Sequence, residues 1–464
     1  MKYVFLGAFG GMVLLSAVAW VWQPRATEDG RIPLVWVSDD NPVRREQIDL
    51  FNKLYPQYRL RLDPQNAGME KVIVQCLAGV GPDLFDCYSG FQRIAFVRSG
   101  IAMDVSEAWR ERGMHIDEIW PCLIPLFVHE GRPYGHPDNT HASAMWYNRD
   151  LFEQEGIPFP QSDWTWDDCI QIAQELTKRD ERGRPIQFGL MIGRWEWKDI
   201  FVAQWGGDLY TPEGTRCVLD TPEAIAGLEF ARDLIFVHNV MPSATEEMAM
   251  ATQGGWGSGV ISLFGAGHGA MAIGGRWWLC ILRNKDYAHL RLGAVNLPKG
   301  PYDRTWGGGR STLVNANTKN IEGALAFLEY MYGPHWNRLI NRQADALGPV
   351  MKCHYGEYED EFLHNSDHPE EDYNAVWRTA LETAEPVQVS PYVNGQTVDR
   401  ILLKVSDLVW ADLKSPANAL RDATRDVNKA IVEQLRMDPE LRERYFEDLA
   451  RGARPAWDRE EDAP

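Results

Sequence analysis

Apolar and polar positions at the start of the chain alternate between two periods. Ile32–Val37 is a β-rich run that ends in Ser38-Asp39-Asp40-Asn41. Pro42 then opens a helix with Ile48, Phe51 and Tyr55 on one face; Asn41 is its expected cap and Pro42 its first residue. Tyr58–Leu62 reads as the next strand, Met69–Ala78 as a helix, and Pro82 leads into a strand through Leu84, Phe85 and Cys87. This repeated unit predicts an α/β fold built on an open parallel sheet. In such sheets ligands lie outside the carboxyl ends of the strands, which singles out Asp39, Asp40, Asn41, Tyr88 and Ser89.

Beyond Ala142 a short apolar strand ends in Trp146-Tyr147-Asn148, and a helix follows that stops at Gly156. After a Pro-rich turn, Thr165 and Asp168 have capping-box spacing, with Asp in place of Glu. Trp166, Cys169, Ile170, Ala173 and Leu176 then fall on one helical face. Phe188–Ile192 is a strand, and Thr221-Pro222 opens a helix with Ile225, Leu228, Ala231 and Ile235 inward. A glycine-rich region, 254–275, surrounds a short strand at Met271–Ile273, and Leu290–Val295 is a further strand. Trp306-Gly307-Gly308-Gly309-Arg310 leads into a strand at Ser311–Asn315 and a helix with Ala324, Phe327, Leu328 and Met331 on one face. From Tyr373 the pattern is helical to about Arg444, and residues 452–464 read as a frayed tail.

At 464 residues the chain exceeds one ordinary domain, so two lobes of roughly 200 residues are expected. A net charge of −19 argues against nucleic acid as a partner. Residues 1–22 carry Lys2, an apolar run from Tyr3 to Trp22 and an Ala17-Val18-Ala19 site. They are expected to be a signal peptide cleaved after Ala19, or an uncleaved membrane anchor; both export the remainder. Cys76 lies too far along for lipidation. Seven cysteines leave at least one unpaired; Cys76 and Cys87 are close enough in sequence to bridge, but burial as small apolar side chains is expected for most.

Signatures of catalysis are missing. Gly265-x-Gly267-x-x-Ala270 matches a relaxed dinucleotide fingerprint but precedes a strand instead of following one. There is no Walker A sequence and no G-x-S-x-G elbow. His129, His136 and His141 flank a Pro/Gly-rich loop without a metal-ligand spacing. No enzyme activity, cofactor or metal is expected. Tryptophan is the compositional outlier, with 19 residues, and an indole offers a flat apolar face plus one donor.

Four segments carry a resemblance. Leu77-Ala78-Gly79-Val80-Gly81-Pro82-Asp83-Leu84, Met145–Asn148 through Trp166-Asp167-Asp168, Gly269 through Trp277, and Pro298–Pro301 with the strand and helix ending at Met331 occur in one order. They resemble the family 1 extracellular solute-binding proteins, the maltose-binding-protein-like components of ABC importers. The resemblance implies a type II periplasmic-binding-protein clamshell with hinge strands and a helical C-terminal region. Residues 32–146 with 308–345 would form the N-terminal lobe, and 148–306 with 346–450 the C-terminal lobe. It implies an exported monomer, periplasmic or extracytoplasmic, that captures a mono- or oligosaccharide by hinge closure and delivers it to membrane permease subunits. An exported carbohydrate-processing enzyme and a membrane-tethered ligand sensor are the rival readings.

Candidate ligand contacts follow from strand ends and crossings. Trp36 joins Asp39, Asp40 and Asn41 at the first strand exit; Asp83 either meets ligand or holds its loop. Trp146 sits at the first crossing, where a hinge or core role competes. Trp205 and Asp208 follow a helix, and Trp205 is a candidate stacking platform. Gly275, Arg276 and Trp277 form a strand exit, with Trp277 the leading platform. Trp306 and Arg310 lie at the return crossing.

Overall fold

The computed structural model describes residues 29–64, 68–194, 196–250, 259–459 and 463–464; the targeting segment expected over 1–22 lies outside them. Ten strands organise the chain: β1 (Ile32–Val37), β2 (Tyr58–Asp63), β3 (Leu84–Cys87), β4 (Gly135–His141), β5 (Ala144–Asn148), β6 (Pro185–Met191), β7 (Gly269–Gly274), β8 (Leu292–Val295), β9 (Thr305–Val314) and β10 (Ala384–Pro386). Two-residue strands at Val128–His129, Arg132–Pro133 and Lys178–Arg179 complete the set among the described residues.

The first sheet runs β10-β9-β3-β1-β2, with β4 also paired to β9. β1 is parallel to both β2 and β3, as the alternation of strands and helices requires, and β9 returns antiparallel to β3. The second sheet runs β8-β5-β7-β6 and ends on Lys178–Arg179. β4 and β5 are separated by Ala142 and Ser143 alone, so consecutive strands belong to different sheets. The chain crosses back between β8 and β9, and a third time after β10.

Local signals account for the element ends. Thr165 and Asp168 form a reciprocal capping box on the helix Trp166–Leu176. Thr221 caps the helix Pro222–Phe236, and Gly156 closes Arg149–Glu155 in the left-handed conformation at φ 69°. Leu34, Trp36, Phe51, Leu84 and Phe327 share one buried cluster. Cys169, Leu190, Ile200, Leu228, Met271 and Leu402 share another, formed mainly by the second sheet and its helices. No described helix is long and apolar enough to cross a membrane. All seven cysteines are free and buried.

Three expectations are corrected. The helix after β1 spans Arg44–Leu54, and Val43 stands at its N-terminus without a side-chain cap. Asn41 instead accepts from the Val43 amide (3.2 Å) and donates to Asp345 (3.2 Å). The glycine run is part of β9. A Cβ on Gly309 would lie 2.2 Å from the Asn139 carbonyl oxygen, so only glycine permits the β4 backbone to come that close. The chain after Tyr373 is not continuously helical. β10 intervenes, and Pro391, Pro416 and Pro439 lie before or at the starts of Gly395–Trp410, Pro416–Met437 and Pro439–Ala450. Phe362, Tyr373, Trp377 and Leu381 pack in a cluster that takes residues from both sheets, Leu34 and Trp36 of the first and Trp146 and Phe188 of the second.

Candidate functional site

The carboxyl ends of β1 and β3, where the sequence placed the ligand, hold a buried ion cluster. Arg310 on β9 donates from Nε to Asp138 (2.7 Å) and from Nη1 to Asp39 (2.9 Å); Asp86 and Asp345 lie 3.2 and 3.5 Å from it. Arg44 pairs with Asp39 at 2.6 Å and with Asp345. Trp36 is fully buried with the guanidinium carbons of Arg44 and Arg310 at 5.6 and 5.9 Å from its ring, and donates to Asp86 at 2.7 Å. This indole therefore serves as a platform for two cations of the protein itself.

Four carboxylates thus face two guanidinium groups. Burial pushes Asp86 up to about 7, against the opposing pull of Arg44. Asp138 is raised by burial and then by Asp86, and its Oδ1 has no hydrogen-bond partner among the described residues. Folding therefore favours the protonated form of Asp86. Stability tied to it is complete below the unfolded value near about 4 and is lost as pH rises through the folded value. The melting temperature of Asp86→Asn minus that of the wild type is expected to climb between about pH 5 and pH 8. A difference flat across that range contradicts the assignment.

Most other candidates have structural partners. Asp83 accepts from the Val35 amide (2.8 Å), Thr318 and Asn320, and so holds its loop. Trp146 is buried against Tyr373 and Trp377 and donates to the Gly275 carbonyl at 3.3 Å. Arg276 is buried and spends its donors on Asn374 (2.9 Å) and the carbonyls of Ala346 (2.9 Å) and Asn341 (2.7 Å). Burial pushes its guanidinium down to about 10. Trp306 is buried in the core, and Trp205 packs on Phe230 with ring centroids 4.5 Å apart. Trp277 is half-buried, edge-on to Trp278. Asp40 is exposed and outside the cleft described next. Every described tryptophan is buried or half-buried; the apolar area of an indole is worth most inside a core.

A cavity of about 270 Å³ lies between the two halves. Tyr88, Ser89, Phe91, Pro125, Leu126 and the β9 glycines 307–309 line one side. Lys198, Leu209, Tyr210, Gln388, Val398, Asp399 and Leu402 face them, and His141 sits at the crossing. Of the sequence candidates, only Tyr88 and Ser89 are lining residues, and no described tryptophan is. Asp208 acts one step back: it accepts from Gln388 (2.6 Å) and from Arg304 (2.7 Å), which fixes a cleft-wall amide.

The residues missed by sequence reading are Lys198, His141, Tyr210 and Asp399. Lys198 opens a π-helical turn, Lys198–Val202, a geometry that recurs at functional sites and leaves no local sequence signal. His141 ends β4, which also holds His136. Asp399 lies near the start of the Gly395–Trp410 helix, inside a run that patterning assigned only to helix.

The halves also touch at the cleft rim. Phe91 lies over Gly395, where an added Cβ would be 2.1 Å from the ring. Arg98 pairs with Asp438, and Arg444 donates to Glu130 at 2.9 Å. Exposed pairs of this kind contribute about 0–1 kcal/mol each, so the glycine–aromatic contact is the stricter constraint.

The model of the family described as bacterial extracellular solute-binding protein matches residues 38–337, which span both sheets and the first two crossings. The chain belongs to that family. A putative binding protein of Brucella abortus is 27% identical over 299 residues, 62% of this chain and 67% of its own. An arabinooligosaccharide-binding protein of Halalkalibacterium halodurans is 29% identical over 127 residues, 27% of each chain. Solved structures match this two-lobed periplasmic-binding-protein fold. One is an ABC substrate-binding protein from Listeria monocytogenes in complex with cycloalternan, at TM-score 0.72 and 19% identity, covering 86% of this chain and 98% of that one. Another is UgpB from Mycobacterium tuberculosis in complex with glycerophosphocholine, at TM-score 0.70 and 18% identity, covering 88% and 100%. Membership in this extracellular family places the chain's work outside the cytoplasm. It also makes that work binding.

Proposed function

We propose that the chain is the solute-binding component of an ABC importer and that it captures a mono- or short oligosaccharide in the interlobe cleft. In this reading the N-terminal segment exports it and the protein works as a monomer. The observation that carries the reading is the cleft itself: apolar and aromatic walls from both halves enclose a few polar groups free to meet a ligand. A solute that touches both walls favours the shut arrangement through contacts the open one lacks. Stacking, expected from indoles, falls instead to Tyr88, Phe91 and Tyr210.

At about 270 Å³ the cavity is at the small end of ligand sites, which run from about 300 to 1,000 Å³, and suits one or two rings. A thermal-shift and calorimetric screen of sugars tests the proposal. A bound sugar at a hundred times its Kd adds about 2.7 kcal/mol to the folded state, and it must be recovered intact. Sugar consumed during incubation, or no stabilisation by any sugar, overturns it.

A further inference from the structure

The cleft is unevenly charged. Among the described lining residues, Lys198 is the only basic side chain other than His141, and its ammonium pairs with Asp199. Burial lowers the pKa of His141 against the opposing pull of Asp199, which disfavours the charged ring. Asp399 also lines the cavity, half-buried; the charge of Lys198 acts on its carboxylate, which makes no hydrogen bond to a described residue. The Tyr210 hydroxyl and the His141 ring are likewise without a hydrogen-bond partner among the described residues. Behind the opposite wall, Tyr88 donates to Asp86 at 3.3 Å and so backs onto the cluster of four carboxylates and two guanidinium groups. On the Asp399 side of the cavity one ammonium stands against two carboxylates, Asp199 and Asp399, so the surplus there is negative, as it is for the whole chain at −19.

A half-buried carboxylate without a hydrogen bond, sharing one ammonium with Asp199, is costly to hold, and the cost is offset once a further cation or strong donor meets it. Resting on the solute-binding reading, we propose that the solute carries a protonated amine, as an amino sugar or aminated polyol of this size does, and that Asp399 receives it. The rings of Tyr88, Phe91 and Tyr210 supply the faces that an ammonium and the C–H side of a sugar ring both favour. Anionic sugars are excluded by the same surplus.

The test is a matched calorimetric panel on the full chain. Glucosamine, galactosamine, mannosamine and chitosan disaccharide are set against glucose, galactose, mannose and cellobiose, with glucuronate and galacturonate as the acidic arm. Aminated members are expected to bind at least tenfold tighter than their neutral counterparts, with affinity falling as salt is raised. Asp399→Asn is expected to lose that preference, weakening amine binding by about ten- to a hundredfold. Its melting temperature should hold or rise, because the group it replaces is penalised by burial and makes no hydrogen bond to a described residue. Neutral sugars that bind as tightly as aminated ones, or an unchanged preference in Asp399→Asn, overturn the amine assignment and leave the sugar-binding reading standing. Binding by no member of the panel overturns both.

Discussion

Gly395→Ala is expected to weaken solute binding by about tenfold or more, because a methyl forced into a packed contact costs about 1–3 kcal/mol and each 1.4 kcal/mol is tenfold in affinity. Gly395 begins the helix Gly395–Trp410, just after Asn394, whose side chain accepts from the Gln396 amide at 2.9 Å. The new Cβ would meet Phe91 at the base of its ring, at 2.1 Å from Cγ and 2.3 Å from Cδ1, where rotation of the side chain gives little relief. The contact joins opposite sides of the cleft, so only the shut arrangement bears the clash. The ligand-free protein can part its halves, and its melting temperature should stay in place. The two readouts separate the cases: weakened binding with a normal midpoint supports the rim contact as a determinant of closure. Unchanged affinity, or a midpoint lowered as far as in a core variant, contradicts it.

Arg310→Met is expected to destabilise the protein by about 3–5 kcal/mol near neutral pH, the range for removing one partner of a buried ion pair. Its guanidinium is fully enclosed and neutralises carboxylates from three parts of the chain: Asp39 after β1, Asp138 on β4 and Asp345 after the helix Pro334–Gln343. Without it, Arg44 alone faces four acids. Protonation relieves such a site, so the penalty should shrink as pH falls toward about 5. Chemical denaturation at both pH values measures it. An Arg310→Met protein as stable as wild type at neutral pH would show that the cluster holds less charge than its geometry indicates.

This cluster shows where sequence reading stopped. Asp39 and Asn41 were selected because strand ends bind ligands, and the structure does bring them together with Arg310. Their partners, however, come from 345 and 138, and no local pattern states that Asp345 will return to meet Arg44. A carboxylate at a strand end looks the same in sequence whether a sugar hydroxyl or a protein guanidinium awaits it. The indoles misled for a related reason. Trp36, Trp146 and Trp306 lie on strands whose two faces are both covered, and alternation cannot say which strand is exposed. Trp277 was placed at the right strand exit, yet it is half-buried at Trp278 and is not a lining residue of the cleft.

What the chain's order of residues determined by itself was local: the periods of β1 and β2, the cap at Thr165, the stops at Gly156 and Pro222's helix start, and the succession of segments that marks the family. These depend on interactions within a few residues, which sequence displays directly. The tertiary structure alone decided which residues face the cleft. Beyond Tyr88 and Ser89, which strand-end reasoning selects, Lys198 and Asp399 are brought there by a π-helical turn and by a helix from the distant C-terminal region. Contacts between such separated segments follow from how whole faces pack, and packing faces carry no signature in the short-range pattern that formed them.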